Sequence, residues 1–236
     1  MFPNIFPCRI YLDYFSAQLS RSVRGPRFIF FGLIPYFLKG FSLKRIGVFG
    51  GTFDPPHVGH LVTAVNVLHE LDLDQVLFVV ANDPWQKAGL PVSPALDRLA
   101  MVEAAVAGVR GLAPSSIEID RGGPSYTADT LAQLHLLNPD SDLYLIMGSD
   151  AVSLLPTWER SDALRDLATL VVVNRPGAPE AKVPNGWKVK QVEVPRLEVS
   201  STDLRARLID GRPLSWLITD PVIHVINERH LYAEGQ

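Results

Sequence analysis

From Lys44 onward, short runs of continuously apolar residues alternate with stretches whose apolar positions recur every three and four residues. No other property of these 236 residues restricts the fold so strongly. A strand apolar along its whole length must be covered on both faces, and strands joined through helices run parallel. The spacing predicts strands at RIGVF (45–49), QVLFVVA (75–81), SIEID (116–120), DLYLIMG (142–148) and TLVVVN (169–174). WKVKQVEV (187–194) reads as a strand or edge strand. Helices are expected at 60–71, 94–109, 126–137, 161–168, 201–209 and 221–230, with Gly111 just past the second of them. The implied fold is α/β: a three-layer αβα, Rossmann-like parallel sheet in a single domain over residues 44–236.

Composition narrows the function. With 47% hydrophobic and 20% charged residues and a net charge of -3, the chain has no basic surface to coat a nucleic-acid backbone. Residues 1–43 differ, carrying Arg9, Arg21, Arg24, Arg27 and Lys39 against Asp13 alone. They also hold the apolar run FIFFGLIPYFL (28–38), about half the ~20 residues of a membrane span and interrupted by Gly32 and Pro35. We read 1–43 as a poorly ordered extension, in preference to a surface-packed appendage or a membrane-seeking segment. Cys8 is the single cysteine, which excludes an internal disulfide and fits a reducing, cytoplasmic setting.

The chemistry concentrates where the first strand ends, in GVFGGTFDPPHVGHL (47–61). Ligands of parallel α/β sheets bind beyond the carboxyl ends of the strands. Gly50 and Gly51 let backbone approach a ligand closely. Pro55 and Pro56 suit entry to a helix. His57 and His60 follow three residues apart, neighbours about 5–6 Å apart at a helix start that also attracts anions. A turn needs no histidines; a phosphate that gains charge during reaction does. A second helix start, SSTDLR (200–205), offers Ser200, Ser201 and Thr202 as capping hydroxyls, with Arg205 on the same turn. An ordinary capped surface helix would share that pattern, and the first motif gives it meaning.

These residues resemble the H-x-G-H nucleotidyltransferase superfamily and, within it, the bacterial nicotinate-nucleotide adenylyltransferases. The narrower likeness rests on GGTFDPPHVGHL, PSYTADTL (124–131), IMGSDAVSLLPTW (146–158), VVVNRPG (171–177), VSSTDLRARL (199–208) and PVIHVINERHLY (221–232). The resemblance implies a single nucleotidyltransferase-type domain that moves an adenylyl group from ATP to nicotinate mononucleotide with Mg²⁺, releasing pyrophosphate. Catalytic roles fall to His57, His60, Arg205 and Lys87. ATP contacts fall to Gly50, Gly51, Thr52, Phe53, His57, His60, Gly148, Asp150, Arg175, Ser201, Thr202 and Arg205. Tyr126, Thr127 and Trp158, with Lys87, are implied for the mononucleotide, Tyr126 and Thr127 meeting the nicotinate carboxylate and Trp158 stacking on the pyridine. The resemblance assigns no protein ligand to the metal, which travels on the ATP phosphates. ATP and nicotinate mononucleotide are the expected partners, without nucleic acid or membrane, and a homo-oligomer stays open.

One stretch departs from the family pattern. NDPWQKAG (82–89) stands where relatives often read P-P-H and then a basic residue: Trp85 and Gln86 replace the second proline and the histidine, while Lys87 keeps the cation. The runner-up is pantetheine-phosphate adenylyltransferase, which usually has threonine in place of His57 and lacks the SYTADTL match. A class I aminoacyl-tRNA synthetase shares the H-x-G-H turn but needs more chain and a basic face. A catalytically silent nucleotide-binding module is the reading from a different class, and pyrophosphate release would exclude it.

Overall fold

A computed structural model describes residues 45–87, 89–174 and 182–232. The expected extension at 1–43 lies outside these residues. The chain runs β1 (Arg45–Gly51), α1 (Val58–Glu70), β2 (Gln75–Val80), α2 (Ala95–Val106), β3 (Leu112–Ser115), α3 (Ile117–Arg121) and α4 (Thr127–Leu137). It continues through β4 (Asp142–Gly148), α5 (Ser149–Val152), α6 (Ser161–Leu167), β5 (Thr169–Asn174), β6 (Val189–Glu193), α7 (Ser201–Asp210) and α8 (Asp220–Glu228). All six strands pair in parallel, in the order β3-β2-β1-β4-β5-β6. The order reverses between β1 and β4, and in such sheets a crevice opens at that point beyond the strand ends.

Two hydrophobic cores sandwich the sheet, which gives the three layers. Along β4, Leu143, Leu145 and Met147 enter one core with α4, α5 and α6. Tyr144 and Ile146 enter the other with α1, α2, α7 and α8. The strand therefore keeps its period of two although Leu143 to Met147 are all apolar, because both faces are covered. Gly47 explains itself on this geometry: a Cβ there would meet Ile146 Cδ1 and Val76 Cγ2 at 2.9 Å. Only a glycine lets those side chains close over β1.

The run SIEID does not form a strand. The edge strand is Leu112–Ser115, and 117–121 turns into α3. Leu112–Ser115 contains Pro114, which has no N–H to donate, so it is tolerated at the sheet's edge and not inside it. The alternation of Ile117 and Ile119 resembled a half-buried strand. Instead Ser116 Oγ donates to Asp120 Oδ2 at 2.7 Å across one helical turn, and Glu118 is buried against α4, accepting from Thr130 Oγ1. WKVKQVEV, read as a strand or edge strand, yields β6 at the opposite edge.

Candidate active site

The turn leaving β1 is held by its own side chains. Phe53 takes a positive φ of 51° and buries its ring, 2% exposed, beneath Gly51. A Cβ on Gly51 would meet that ring at 2.8 Å. The Phe53 ring meets His60 edge-on, with centroids 5.0 Å apart. His57 caps α1 in extended conformation instead of lying within its first turn, and the two imidazoles stack with centroids 3.7 Å apart. The backbone N–H of His57 donates to His60 Nδ1 at 3.2 Å. An accepting Nδ1 leaves the neutral ring's proton on Nε2, so His60 offers an N–H donor from its far edge. Gly59 has no room for a side chain, since a Cβ would lie 3.0 Å from His57 Nδ1 and from Val199 Cγ1.

The anion-attracting start of α1 is partly used by the fold. Val58 N–H donates to the Leu217 carbonyl at 3.0 Å, and His60 N–H to the His57 carbonyl at 2.9 Å. The donors the sequence assigned to backbone must therefore come largely from side chains. Helix α7 supplies several. Ser200 caps it, accepting from Asp203 N–H at 3.1 Å. Ser201 Oγ donates to the Pro55 carbonyl at 2.8 Å, and Arg205 Nη1 to the Asp54 carbonyl at 2.7 Å. Thr202 is exposed, within 3.5 Å of Arg205 Nη2. Ser201 thus spends its hydroxyl on joining α7 to the histidine turn, a bond no local pattern announces. Lys87, at the end of a short 3-10 turn (Trp85–Lys87), is held below the ordinary lysine range by burial and then by the Arg205 guanidinium. Lys87 and the α7 arginine thus lie close enough for their charges to act on one another.

Beside the turn lies a cavity of about 280 Å³, near the lower end for ligand pockets. Gly50, Gly51, Thr52, Gly148, Tyr126, Thr127 and Trp158 all line it. Tyr126, the cap of α4, and Thr127, its first residue, both line the cavity, so the helix starts at its wall. Trp158 packs on the neighbouring core with its Nε1 buried and unpartnered. His57, His60, Lys87, Arg205 and the exposed Asp150 do not line this cavity. Asp150 stands over Gly148, where a Cβ would meet its Oδ1 at 2.6 Å. The sequence-derived residues therefore form two adjoining groups, a cavity of mixed polarity with aromatic walls and a histidine turn joined by Arg205, sharing the Gly50–Thr52 backbone. Arg175 lies outside the described residues. Among those described, no group of three or more His, Cys, Asp or Glu side chains could hold a metal ion, and no helix is long and apolar enough to cross a membrane.

Sequence reasoning missed Arg98, Asp54 and Glu118. Arg98 had a legible signal: it falls with Met101, Val102, Ala105 and Val106 on the buried stripe of α2, where a charge has no ordinary place. Its guanidinium donates to the carbonyls of Ser93 at 2.8 Å, Thr52 at 3.0 Å, Ala81 at 2.7 Å and Asn82 at 3.2 Å. It ties the ends of β1 and β2 to the loop that carries Lys87. Trp85 and Gln86, the departure from the family pattern, also line the cavity.

Comparison with known proteins agrees with this architecture. The Cytidylyltransferase-like family model matches residues 48–207. A Streptomyces coelicolor protein named "Probable nicotinate-nucleotide adenylyltransferase" is 48% identical over 185 residues, which cover 78% of this chain and 98% of that one. A Geobacillus thermodenitrificans protein of the same name is 43% identical, over 81% of this chain and 87% of that one. The fold is also that of the Plasmodium falciparum nicotinic acid mononucleotide adenylyltransferase complexed with NaAD, with a TM-score of 0.63 at 19% identity, over 80% of this chain and 97% of that one. With the parallel sheet, the H-x-G-H turn and a likeness over about four fifths of the chain in agreement, the chain belongs to the nicotinate-nucleotide adenylyltransferase family of nucleotidyltransferase enzymes.

Proposed function

We propose that the two adjoining groups transfer the adenylyl group of Mg·ATP to nicotinate mononucleotide, giving nicotinate adenine dinucleotide, the precursor of NAD, and pyrophosphate. The observation that carries this reading is the meeting of Arg205 and the His57–His60 pair at one turn, beside a cavity that opens on the start of α4. Gly50, Gly51, Thr52 and Phe53 shape the ATP side. Gly148 and Asp150 face the ribose from the end of β4, with Ser201, Thr202 and Arg205 on the β and γ phosphates. Arg175 is assigned to the adenine end from the sequence alone. Tyr126, Thr127 and Trp158 take the nicotinate ring. Magnesium is assigned to the Mg·ATP substrate, carried on the triphosphate, in keeping with the family resemblance. The partners are small molecules without nucleic acid, in a cytoplasmic enzyme, and a homo-oligomer is compatible with it.

The protein need supply no nucleophile. An oxygen of the mononucleotide's phosphate attacks the α-phosphorus as the bond to the β-phosphate oxygen breaks, and pyrophosphate leaves. That phosphate has its second pKa near ~6 and is largely dianionic at neutral pH, so a general base is redundant. His57 and His60 act as donors to charge building on the α-phosphate, and the rest is alignment.

Two experiments test the reading. In a coupled pyrophosphate assay with ATP, nicotinate mononucleotide gives a clearly higher initial rate than nicotinamide mononucleotide at matched concentration. The positive end of α4 at the cavity rewards a carboxylate over a neutral amide. ATP binding without pyrophosphate release would leave only a nucleotide-binding module. The second experiment is a pH profile of kcat/KM for ATP, which reports the free enzyme. Lys87 attracts phosphate only while protonated, so kcat/KM falls as pH rises through its lowered pKa, earlier than the ~10.4 of an ordinary lysine allows. Lys87→Arg stays charged and removes that limb; an unchanged limb would take Lys87 out of the site.

A further inference from the structure

Asp54 has no part in the chemistry above, yet it is 2% exposed and bonded from three separate elements. Tyr232 Oη donates to its Oδ1 at 2.6 Å, from the segment that follows α8. Ser93 N–H, at the far end of the Lys87 loop, donates to Oδ2 at 3.3 Å. Arg205 of α7 binds its main-chain carbonyl at 2.7 Å. A buried carboxylate thus lies at the junction of the histidine turn, the loop that carries Lys87 and the arginine assigned to phosphate. Such a group is also a rival: it carries the same charge as the triphosphate and stands within electrostatic reach of Lys87.

We propose that Tyr232 is a positioning residue whose hydroxyl holds the Asp54 carboxylate in place, so that Lys87 and Arg205 stay available to the triphosphate instead of pairing with Asp54. The geometry supplies the means. Oδ1 is occupied by the phenol and Oδ2 by the Ser93 N–H, so the side chain is fixed at both oxygens. The Tyr232 ring packs against the core that contains Met101, with the hydroxyl 3.8 Å from its sulfur. Burial, and then the Asp54 charge, push the phenol far above the usual tyrosine range, so it remains a donor at all working pH values. Without the hydroxyl, Oδ1 loses its partner in a buried site, and the carboxylate is left to the cations whose charges reach it, Lys87 among them, with the buried Arg98 already tied to four carbonyls.

This inference rests on the assignment of Lys87 and Arg205 to ATP, and its test is kept separate from turnover. The dissociation constant for Mg·ATP is measured by titration calorimetry in the full chain for wild type, Tyr232→Phe, Asp54→Asn and the double variant. Tyr232→Phe is expected to weaken ATP binding about tenfold, the order of one lost hydrogen bond to a charged group, while the KM for nicotinate mononucleotide changes less than about twofold. Asp54→Asn removes the rival charge, so it binds ATP at least as tightly as wild type, and in the double variant it restores the tenfold loss. A merely structural tyrosine would not be rescued by a second change at its partner. Unaltered ATP binding in Tyr232→Phe, or a loss that Asp54→Asn fails to restore, would overturn the proposal. If Tyr232→Phe does not fold, Asp54→Asn alone decides: ATP binding as tight as wild type or tighter supports the proposal, and weaker binding overturns it. Wild-type protein that binds ATP but releases no pyrophosphate would sink the adenylyl-transfer reading and leave this comparison intact.

Discussion

His60→Ala is expected to lower kcat about 10³-fold while the folded structure survives. The magnitude is that of removing one preorganised donor from charge developing in a transition state, about 10²–10³ in rate. The geometry puts His60 at the upper end. Its Nδ1 is committed to the His57 N–H at 3.2 Å, and its ring is fixed between Phe53 and His57, at 5.0 and 3.7 Å. The remaining Nε2–H is thus presented in one direction with little freedom to lose. The change strands one backbone N–H at the tip of α1, worth about 1 kcal/mol. A thermal melt should therefore shift by only about 2–4 °C in a chain of this size. Steady-state rates at saturating ATP together with that melt are the measurement. A variant keeping near-normal kcat would remove His60 from the mechanism.

Arg98→Met is expected to cost at least about 4 kcal/mol of stability. Arg98 is 1% exposed, and four carbonyls from four places in the chain depend on it. Methionine fills similar space but leaves those acceptors without partners, at ~1–3 kcal/mol for each that water cannot reach. Burial works against the charged guanidinium and lowers its pKa, yet arginine stays protonated in proteins and its planar fork can serve several acceptors at once. Lysine, with one ammonium, cannot span the same set, so Arg98→Lys should be intermediate. Denaturant titration of the three proteins decides this; a loss below about 1 kcal/mol for Arg98→Met would show that the carbonyls find other donors. Partial unfolding of the loop after β2 would also reduce activity, because Arg98 anchors the base from which Lys87 extends.

The sequence alone determined the parallel α/β architecture, the place of the histidine turn after β1 and the pairing of His57 with His60. All three are local: hydrophobic periodicity spans a few residues, and an N-cap meets the third residue of its own helix through a capping box whatever the rest of the chain does. Tertiary structure alone decided the rest. SIEID carried a strand-like alternation, but the sheet's edge was taken by the preceding run, where Pro114 needs no partner for an N–H it lacks. Asp54 finds Tyr232 178 positions away and Arg205 151 positions away, and Ser201 closes on Pro55 across 146. A buried polar group must be satisfied, but periodicity does not say by whom; only the packed chain brings the partner within reach.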